Sequence, residues 1–364
     1  MHTVEAALTP SNITTMTEQP LVSVVTPVHN GERYLCRCIE SVIAQSHINW
    51  DYTIVNNCST DGTVDIALEY ASRDRRIRVH NNSSFLPINA NYNMAFHQIS
   101  PQSKYCKVVA ADDWLGPDCL TQMVRVAEEH PSVAIVGAYG LKGARVEWIG
   151  LPYPSTVVPG WVPARLRLLE GKDVFGAPTA VLYRSDIIRS RDPFFDESNF
   201  HADSRVCLEI LARRDYGFVH QVLTFRRDED ENSMGAVSEE FKTIHFAILG
   251  DLAACGRNFL SEQELRDRTR EHLRDYYRFL GINLFKGRNR QFWKLHRAKL
   301  AEAGHPLSRT RLAMGALAYL ANIALNPKRS CEKLAERFSS RVRHQQMYRL
   351  ESGDASVVFR SSGL

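Results

Sequence analysis

Short apolar segments alternate with helix-like segments from residue 21 to residue 136, and this alternation restricts the fold more than any other feature. Residues 21–26 form a β-rich run that ends at Pro27, and residues 31–45 then place apolar side chains at helical spacing. Further strands are predicted at 52–55, 77–79, 105–109 and 133–136, with helices after Asp61, at 88–99 and at 117–130. Such βαβ units predict an α/β protein with a mainly parallel sheet flanked by helices.

The pattern changes twice after residue 140. Residues 140–176 are rich in Gly and Pro, and they precede predicted strands at 179–183, 218–219 and 222–225 and a helix at 201–213. Helices are then predicted near 237–255, 261–281, 288–303, 309–325 and 328–346. We therefore expect a flexible leader (1–20), an α/β domain (21–236), a basic helical region (237–350) and a flexible tail (351–364).

Composition excludes several classes of protein. The 364 residues are 44% hydrophobic and 24% charged, which is ordinary for a globular chain. No apolar run reaches the ~18 residues of a spanning helix, and the first twenty residues lack the pattern of a secretory signal. The eight cysteines include no CxxC pair, so we expect free thiols in a reducing compartment and a cytoplasmic protein.

The charge is unevenly distributed along the chain. Residues 286–349 hold fifteen Lys or Arg and three acidic residues, a net +12, which leaves −8 for the remainder of a +4 chain. Nucleic acid or an anionic membrane surface would suit such a segment, and we expect the membrane rather than nucleic acid. The apolar run 312–325, between Arg309 and Arg311 on one side and Lys328 and Arg329 on the other, is too short to span. It is either an interfacial helix at the inner face of the membrane or a buried helix of a bundle.

Ligands of a parallel sheet bind beyond the carboxyl ends of its strands, so we examined the loops there. The loop after the fourth strand holds Asp112 and Asp113, which repel each other unless a cation or another positive group neutralises them. Oxygen ligands favour Mg²⁺ or Mn²⁺ bound to phosphate, and a solvated turn with Asp113 or Asp118 as a helix cap is the alternative. In the loop after the second strand, Asn57 could accept a hydrogen bond from a base edge, while Thr60 or Asp61 caps the next helix.

Three segments, taken together, resemble family 2 glycosyltransferases. Residues 22–31 (VSVVTPVHNG) and 41–46 (SVIAQS) are similar to the family's first strand, P-x-[YH]-N turn and first helix. Residues 56–63 (NNCSTDGT) resemble its D-D-G-S-x-D-G-T element, and residues 110–117 (AADDWLGP) resemble its D-x-D-D-x-x-x-P element. The likeness covers roughly residues 21–233, with the elements in the family's order.

The resemblance implies a GT-A fold, a nucleotide-diphosphate-sugar donor, a divalent cation (Mn²⁺ or Mg²⁺) and inversion at the anomeric carbon. On the matching positions it implies that Pro27 and His29 flank the nucleotide pocket and that Asn57 receives the uracil N3–H. Asp112 would lie toward the ribose and the metal, and Asp113 would bind the metal and touch the diphosphate.

The resemblance also implies a catalytic base and a pair of phosphate-facing arginines. Residues 201–208 (HADSRVCL) match an [ED]-D-x-x-L-like element, which makes Asp203 the base that takes a proton from the acceptor hydroxyl. Asp203 as the N-cap of its helix is the alternative. Arg226 and Arg227 could bind the diphosphate, because guanidinium matches phosphate bidentately, or could pair with the acidic run 228–231.

The sequence departs from the family pattern at three places. Asn56 and Asn57 replace two Asp, Ala110 replaces the first Asp of D-x-D-D, and Asp228 stands where a His is frequent. We expect a hexosyltransferase-type enzyme that moves a sugar, from UDP in the first instance, to a glycan or lipid-linked acceptor in surface polysaccharide or glycolipid synthesis. The alternative is a catalytically silent protein of the same fold that binds a nucleotide sugar or a glycan.

Overall fold

The computed structural model describes residues 19–148, 151–227, 238 and 240–325. The chain divides into two units, residues 1–265 and residues 266–364. Residues 1–18 of the expected leader, the helix predicted at 328–346 and the tail 351–364 lie outside the described residues.

The first unit is built on one mixed sheet. Its strands are β1 (Val22–Val28), β2 (Trp50–Asn56), β3 (Ile77–Asn81), β4 (Tyr105–Val108), β5 (Asp113–Leu115), β6 (Val133–Lys142), β7 (Arg145–Glu147), β8 (Val157–Val158), β9 (Val181–Arg184) and β10 (Asp215–Arg226). The main order is β3-β2-β1-β4-β9-β6-β10-β5, with β7 on β6 and β8 on β10.

Helices surround this sheet and form the described part of the second unit. They are α1 (Glu32–Ile43), α2 (Thr63–Arg73), α3 (Ile88–His97), α4 (Cys119–Glu129), α5 (Trp161–Glu170), α6 (Ser185–Arg189), α7 (Ala202–Leu211), α8 (Ile244–Cys255), α9 (Glu262–Leu284), α10 (Arg290–Glu302) and α11 (Arg309–Leu325). Short 3-10 turns occupy Pro178–Ala180 and Gly256–Asn258.

The sheet changes character in its middle. Strands β1 to β4 are mutually parallel, as the βαβ pattern predicts, and β6 with β10 forms a second parallel pair. Strand β9 joins the two blocks because it pairs antiparallel with both β4 and β6. The α/β class expected from the sequence is therefore confirmed, and the sheet is mixed.

Both faces of the sheet are covered, because side chains of its strands alternate between two apolar clusters. In β1, Val24 contributes to the cluster under α1 and α4, while Val25 contributes to the cluster under α3, α5 and α7. Helix α1 buries Leu35, Ile39 and Val42, spaced four and three residues apart. This packing fixes the loops that leave the strands.

Three local predictions differ from the structure. The two short strands predicted at 218–219 and 222–225 form one strand, β10, whose register against β6 shifts between Val219 and Val222. Helix α5 lies in the Gly- and Pro-rich stretch, where no helix was predicted. Strand β5 was not predicted either, since three residues are too few to show a period.

The second unit packs its helices around aromatic residues. Tyr276 Oη is hydrogen-bonded to His296 Nδ1 at 2.5 Å, and Leu280, Phe292 and Leu300 are buried around them. Helices α9 and α11 approach closely at two glycines: a Cβ on Gly315 would lie 2.2 Å from the Tyr277 carbonyl oxygen, and one on Gly281 would lie 2.4 Å from a backbone nitrogen of α11. Among the described residues no helix is both long and apolar enough to cross a bilayer.

We expect Leu35→Ala to lower the free energy of unfolding by about 2–5 kcal/mol, because Leu35 is fully buried beneath the sheet and its truncation leaves a cavity. Urea denaturation followed by circular dichroism would measure this. Ile43→Ala, in the same helix at 38% exposure, is the matched control and should cost less than about 1 kcal/mol. Equal losses in the two variants would contradict the packing described for α1.

Candidate active site

The carboxyl ends of β1, β2 and β3 meet at one edge of the sheet. Their register aligns Val28 with Asn56 and Asn56 with Asn81, so the three following loops start side by side. Pro27, the next-to-last residue of β1, is buried. His29, the first residue after the strand, is exposed. This edge is where open α/β sheets bind ligands.

A polar network ties the first two loops together. The N-cap of α2 is Gly62, so the expected cap at Thr60 or Asp61 is wrong. The Asp61 carboxylate accepts from the backbone N–H of Thr63 at 3.1 Å and from that of Glu32 at 3.1 Å. The Glu32 carboxylate in turn accepts from the Gly62 N–H at 3.0 Å, and Thr63 Oγ1 accepts from the Gly31 N–H at 2.8 Å. The starts of α1 and α2 are thereby held to each other, which fixes the loop that carries His29.

Asn57 is buried and its amide holds the third loop. Its Oδ1 accepts from the backbone N–H of Leu86 at 2.9 Å and from Asn82 Nδ2 at 3.0 Å, and its Nδ2 donates to the Leu86 carbonyl at 2.9 Å. His29 Nδ1 lies 2.8 Å from the Asn57 backbone oxygen, and its ring meets Phe85 edge-on at 4.9 Å. Recognition of a base by the Asn57 side chain stays a prediction. It requires that a base N–H replace either the Leu86 N–H or Asn82 Nδ2 as a donor to Asn57 Oδ1.

Asp113 begins β5 and is buried at the junction of the two halves of the sheet. It pairs in register with Arg226 of β10. Thr179 Oγ1, in the turn before β9, donates to Asp113 Oδ2 at 2.6 Å and accepts from the Ala110 N–H at 3.0 Å. Asp113 thus lies in a strand and does not cap the next helix. The N-cap of α4 is Asp118, the other residue considered for that position.

The positive charges near Asp113 offset only part of the effects that raise the pKa of its carboxyl. Burial, followed by the negative charge of Asp112, raises the pKa of the Asp113 carboxyl to about 7, although the Thr179 hydrogen bond and the positive charges of Arg226 and Arg227 lower it. Arg227 Nε lies 3.0 Å from Asp112 Oδ2. The site therefore still favours an added positive charge next to Asp113.

Arg226 and Arg227 have partners other than the acidic run considered from the sequence. Arg226 pairs with Glu147 at 3.0 Å, and Arg227 pairs with Asp112 and lies over the Tyr34 ring at 4.8 Å. The acidic run 228–231 lies outside the described residues.

Asp203 lies in the first turn of α7 and is not its N-cap, which is His201. Its Oδ1 accepts from the Ser204 backbone N–H at 2.8 Å. Burial raises the pKa of the Asp203 carboxyl to about 6, against the lowering effects of that hydrogen bond and of the buried Arg167. A carboxylate that titrates near the operating pH is suited to accept a proton.

Tyr92 of α3 lies within electrostatic range of the Asp112–Asp113 pair and of Asp203. Burial raises the pKa of its phenol, and the charges of Asp113, Asp112 and Asp203 raise it further, in that order. The charges of all three carboxylates therefore reach one side chain, although they come from parts of the sequence about 90 residues apart. That the residues expected for metal binding and for base catalysis act in one site stays a prediction.

The residues fit a divalent cation of the Mg²⁺ or Mn²⁺ type. Two adjacent carboxylates, one of them buried with a raised pKa, form an oxygen donor set that a cation would stabilise. The described residues contain no cluster of three or more His, Cys, Asp or Glu that could hold a metal. Mg²⁺ does not need such a cluster, since it commonly binds one or two carboxylates and completes its shell with substrate phosphates and water.

Sequence reasoning missed Thr179 and Lys107. Lys107 is fully buried in β4, and its Nζ donates to the carbonyl oxygens of Thr179 at 2.6 Å and Val181 at 3.3 Å. It therefore holds the turn that presents Thr179 to Asp113. A lysine inside an apolar strand was the available signal, because a buried ammonium needs acceptors.

Comparison with known proteins finds a family match within the first unit. The model of the family described as Glycosyl transferase family 2 matches residues 23–191. From Bacillus subtilis (strain 168), "Putative glycosyltransferase EpsE" is 31% identical over 153 residues, which are 40% of this chain and 52% of that protein. "Putative teichuronic acid biosynthesis glycosyltransferase TuaG" of the same strain is 34% identical over 125 residues, 34% of this chain and 48% of that protein. The chain spans about half the length of these two curated relatives.

Two solved structures show the same fold. TarS 1–349 of S. aureus in complex with UDP-GlcNAc has a TM-score of 0.58 at 18% identity, over 78% of this chain and 80% of that one. The mannosyltransferase PcManGT of Pyrobaculum calidifontis in complex with GDP-Man and Mn²⁺ has a TM-score of 0.52 at 14% identity, over 85% and 87%. The GT-A fold implied by the sequence is confirmed by these likenesses.

We expect Thr179→Val to weaken Mn²⁺ binding, measured by electron paramagnetic resonance with UDP present, by about 10–100-fold. The physical reason is that Asp113 loses the hydroxyl that orients its carboxylate. Thr179→Ser keeps the hydroxyl and should stay within about threefold of the parent. If the valine variant remains folded and binds Mn²⁺ like the parent, Thr179 does not position the metal ligand.

Proposed function

We propose that this chain, whose residues 23–191 form a glycosyl transferase family 2 domain, transfers a sugar from a nucleotide diphosphate to an acceptor hydroxyl. The observation that carries the proposal is the adjacent pair Asp112 and Asp113, with Arg227 Nε 3.0 Å from Asp112 and Arg226 opposite Asp113 on β10. The charge of Asp203 acts on the same buried Tyr92 phenol as the charges of this pair. We take UDP as the first nucleotide to test, because the TarS structure holds UDP-GlcNAc. The name of TuaG supports a polysaccharide acceptor, and a lipid-linked acceptor is the other form that we propose.

The donor would lie along the edge formed by the first three strands. The nucleoside would bind beside Pro27, His29 and Asn57, where three loops begin side by side. The diphosphate would lie toward Asp113, within reach of the guanidinium groups of Arg226 and Arg227, which match phosphate oxygens bidentately. A cation held by Asp112 and Asp113 would, when bound, stabilise the negative charge that builds on the leaving diphosphate.

Asp203 would act on the acceptor. Its carboxylate accepts the proton of the acceptor hydroxyl while that oxygen attacks the anomeric carbon, and the bond from that carbon to the diphosphate breaks. The products are the glycoside, with inverted anomeric configuration, and the nucleoside diphosphate. The raised pKa of Asp203 makes it a stronger base than an ordinary carboxylate, while leaving it mostly ionised at pH 7.

A panel of UDP-, GDP- and dTDP-sugars with Mn²⁺ tests the function. The matching donor should raise the melting temperature, because a ligand that binds only the folded state stabilises it, and nucleoside diphosphate should be released over time. Stabilisation without release, with every acceptor class supplied, would favour the catalytically silent binding protein, for which Asn57 and Ala110 are the sequence argument.

We expect Asp113→Asn to reduce nucleoside diphosphate release by about 10²-fold or more, the scale on which one group that stabilises developing charge contributes. The amide keeps the shape and can still accept from Thr179, but it loses the charge that holds a cation. Asp118→Asn removes an exposed carboxylate five residues away and should leave release unchanged. Normal release by Asp113→Asn at saturating Mn²⁺ would show that the metal assignment is wrong.

We expect Asp203→Asn to retain donor affinity and to lose turnover by about 10²–10⁴-fold, the usual contribution of a general base. At saturating Mn²⁺, which keeps Asp113 ionised, kcat/KM of the parent should fall about tenfold per pH unit below pH 6, because the base is protonated there, and this limb should vanish in the variant. Glu209→Gln on the same helix removes only a surface ion pair with Arg191 and should keep the parent's profile. A variant that loses donor affinity and turnover equally would mark Asp203 as structural.

A further inference from the structure

Helix α11 exposes an apolar surface that the described residues do not cover. Its only buried residue is Gly315, whereas Met314, Leu317 and Leu325 are 68%, 65% and 79% exposed. Leu320 is 46% exposed. In a water-soluble unit such a helix normally turns its large apolar side chains toward the core, and contiguous exposed patches mark interaction sites.

The exposed side chains form a continuous stripe. Gly315 faces α9 through its close approach to Tyr277. With about 100° of rotation per residue, Ala313, Leu317 and Leu320 fall on the opposite side of the helix. Met314 and Leu325 lie on the adjoining flank of the helix, and the stripe from Ala313 to Leu325 runs for about 18 Å along the axis.

The last residue of α9 and the residue after it expose two more apolar side chains, of which Phe285 borders α11 on the side nearer Gly315. Leu284 and Phe285 are 46% and 54% exposed, and the Phe285 ring contacts the Tyr319 ring of α11 at 5.7 Å. Lys286 follows directly in the chain and is also exposed. We call these apolar side chains, together with those of the stripe, the α11 face.

Basic residues flank the α11 face along the chain. Residues 266–325 contain thirteen Lys or Arg and four Asp or Glu, a net charge of +9. Arg309 and Arg311 lie at the start of α11, and Lys286 and Arg288 follow Phe285. An apolar face next to cationic side chains matches the chemistry of an anionic lipid surface, where acyl chains lie beneath negative head groups.

We propose that the α11 face docks on an anionic membrane surface, with the helix lying in the interface. The helix does not span the bilayer, because seventeen residues reach about 25 Å and the hydrocarbon core is ~30 Å thick. A second copy of the chain is the weaker candidate, since two copies of residues 266–325, each with a net charge of +9, would repel each other across a shared contact. The inference concerns the second unit alone and does not depend on sugar transfer.

Co-sedimentation of the full chain with vesicles tests the proposal. At low salt the chain should pellet with vesicles of phosphatidylcholine and about 30% phosphatidylglycerol, and about tenfold less should pellet with phosphatidylcholine alone. About 0.5 M NaCl should release much of the bound protein, because it screens the head-group charge. Leu317→Glu/Leu320→Glu should reduce binding by about tenfold or more.

Ile48→Glu/Leu68→Glu is the matched control. It adds the same two charges at apolar side chains that are 70% and 50% exposed, close to the 65% and 46% of the test pair, but in the first unit. The control should bind anionic vesicles like the parent. Equal binding by both double variants, or equal binding to neutral and anionic vesicles, would overturn the proposal. So would a parent that ignores vesicles and is a dimer that Leu317→Glu/Leu320→Glu converts to a monomer.

Discussion

Asp113 is a carboxylate buried where β5, β10 and the turn before β9 meet, and a buried charge needs partners. Thr179 supplies a hydrogen bond at 2.6 Å, and Arg226 and Arg227 supply positive charge. Asp112 works in the opposite direction, since it repels Asp113 and helps to raise its pKa to about 7. The raised pKa means that a bound cation would stabilise the ionised form of Asp113. The surrounding strands hold Thr179 and Arg226 in place beside it.

The mixed sheet explains how distant residues reach Asp113. The parallel block from β1 to β4 brings the loops with His29, Asn57 and Asp112 to one edge. The antiparallel insertion of β9 places Thr179 beside β4, where Lys107 fixes its carbonyl. The antiparallel pairing of β10 with β5 sets Arg226 opposite Asp113.

The sequence predicts the parallel block well, because each strand and helix there is long enough to show its own period. The exact helix caps were less readable: the N-cap of α2 is Gly62, one residue after Asp61, although the Asp61 carboxylate accepts from the Thr63 N–H. The partners of Asp113 were not readable, since Thr179 lies 66 residues from Asp113 and its contact depends on how β9 pairs. The surroundings of Asn57 were not readable either. Its position in the motif implies base recognition, but its burial and its hydrogen bonds to Leu86 depend on how the neighbouring loop folds.

The central claim is that Asp112 and Asp113 hold a divalent cation against the diphosphate of a nucleotide sugar. A crystal structure with UDP and Mn²⁺, read through the anomalous scattering of the metal, tests it most directly. The account predicts one Mn²⁺ at coordination distance, about 2.0–2.2 Å, from a carboxylate oxygen of Asp113, with diphosphate oxygens in the same shell. UDP bound at the edge of β1 and β2 with no Mn²⁺ at Asp113, or Mn²⁺ bound at other residues, would contradict it.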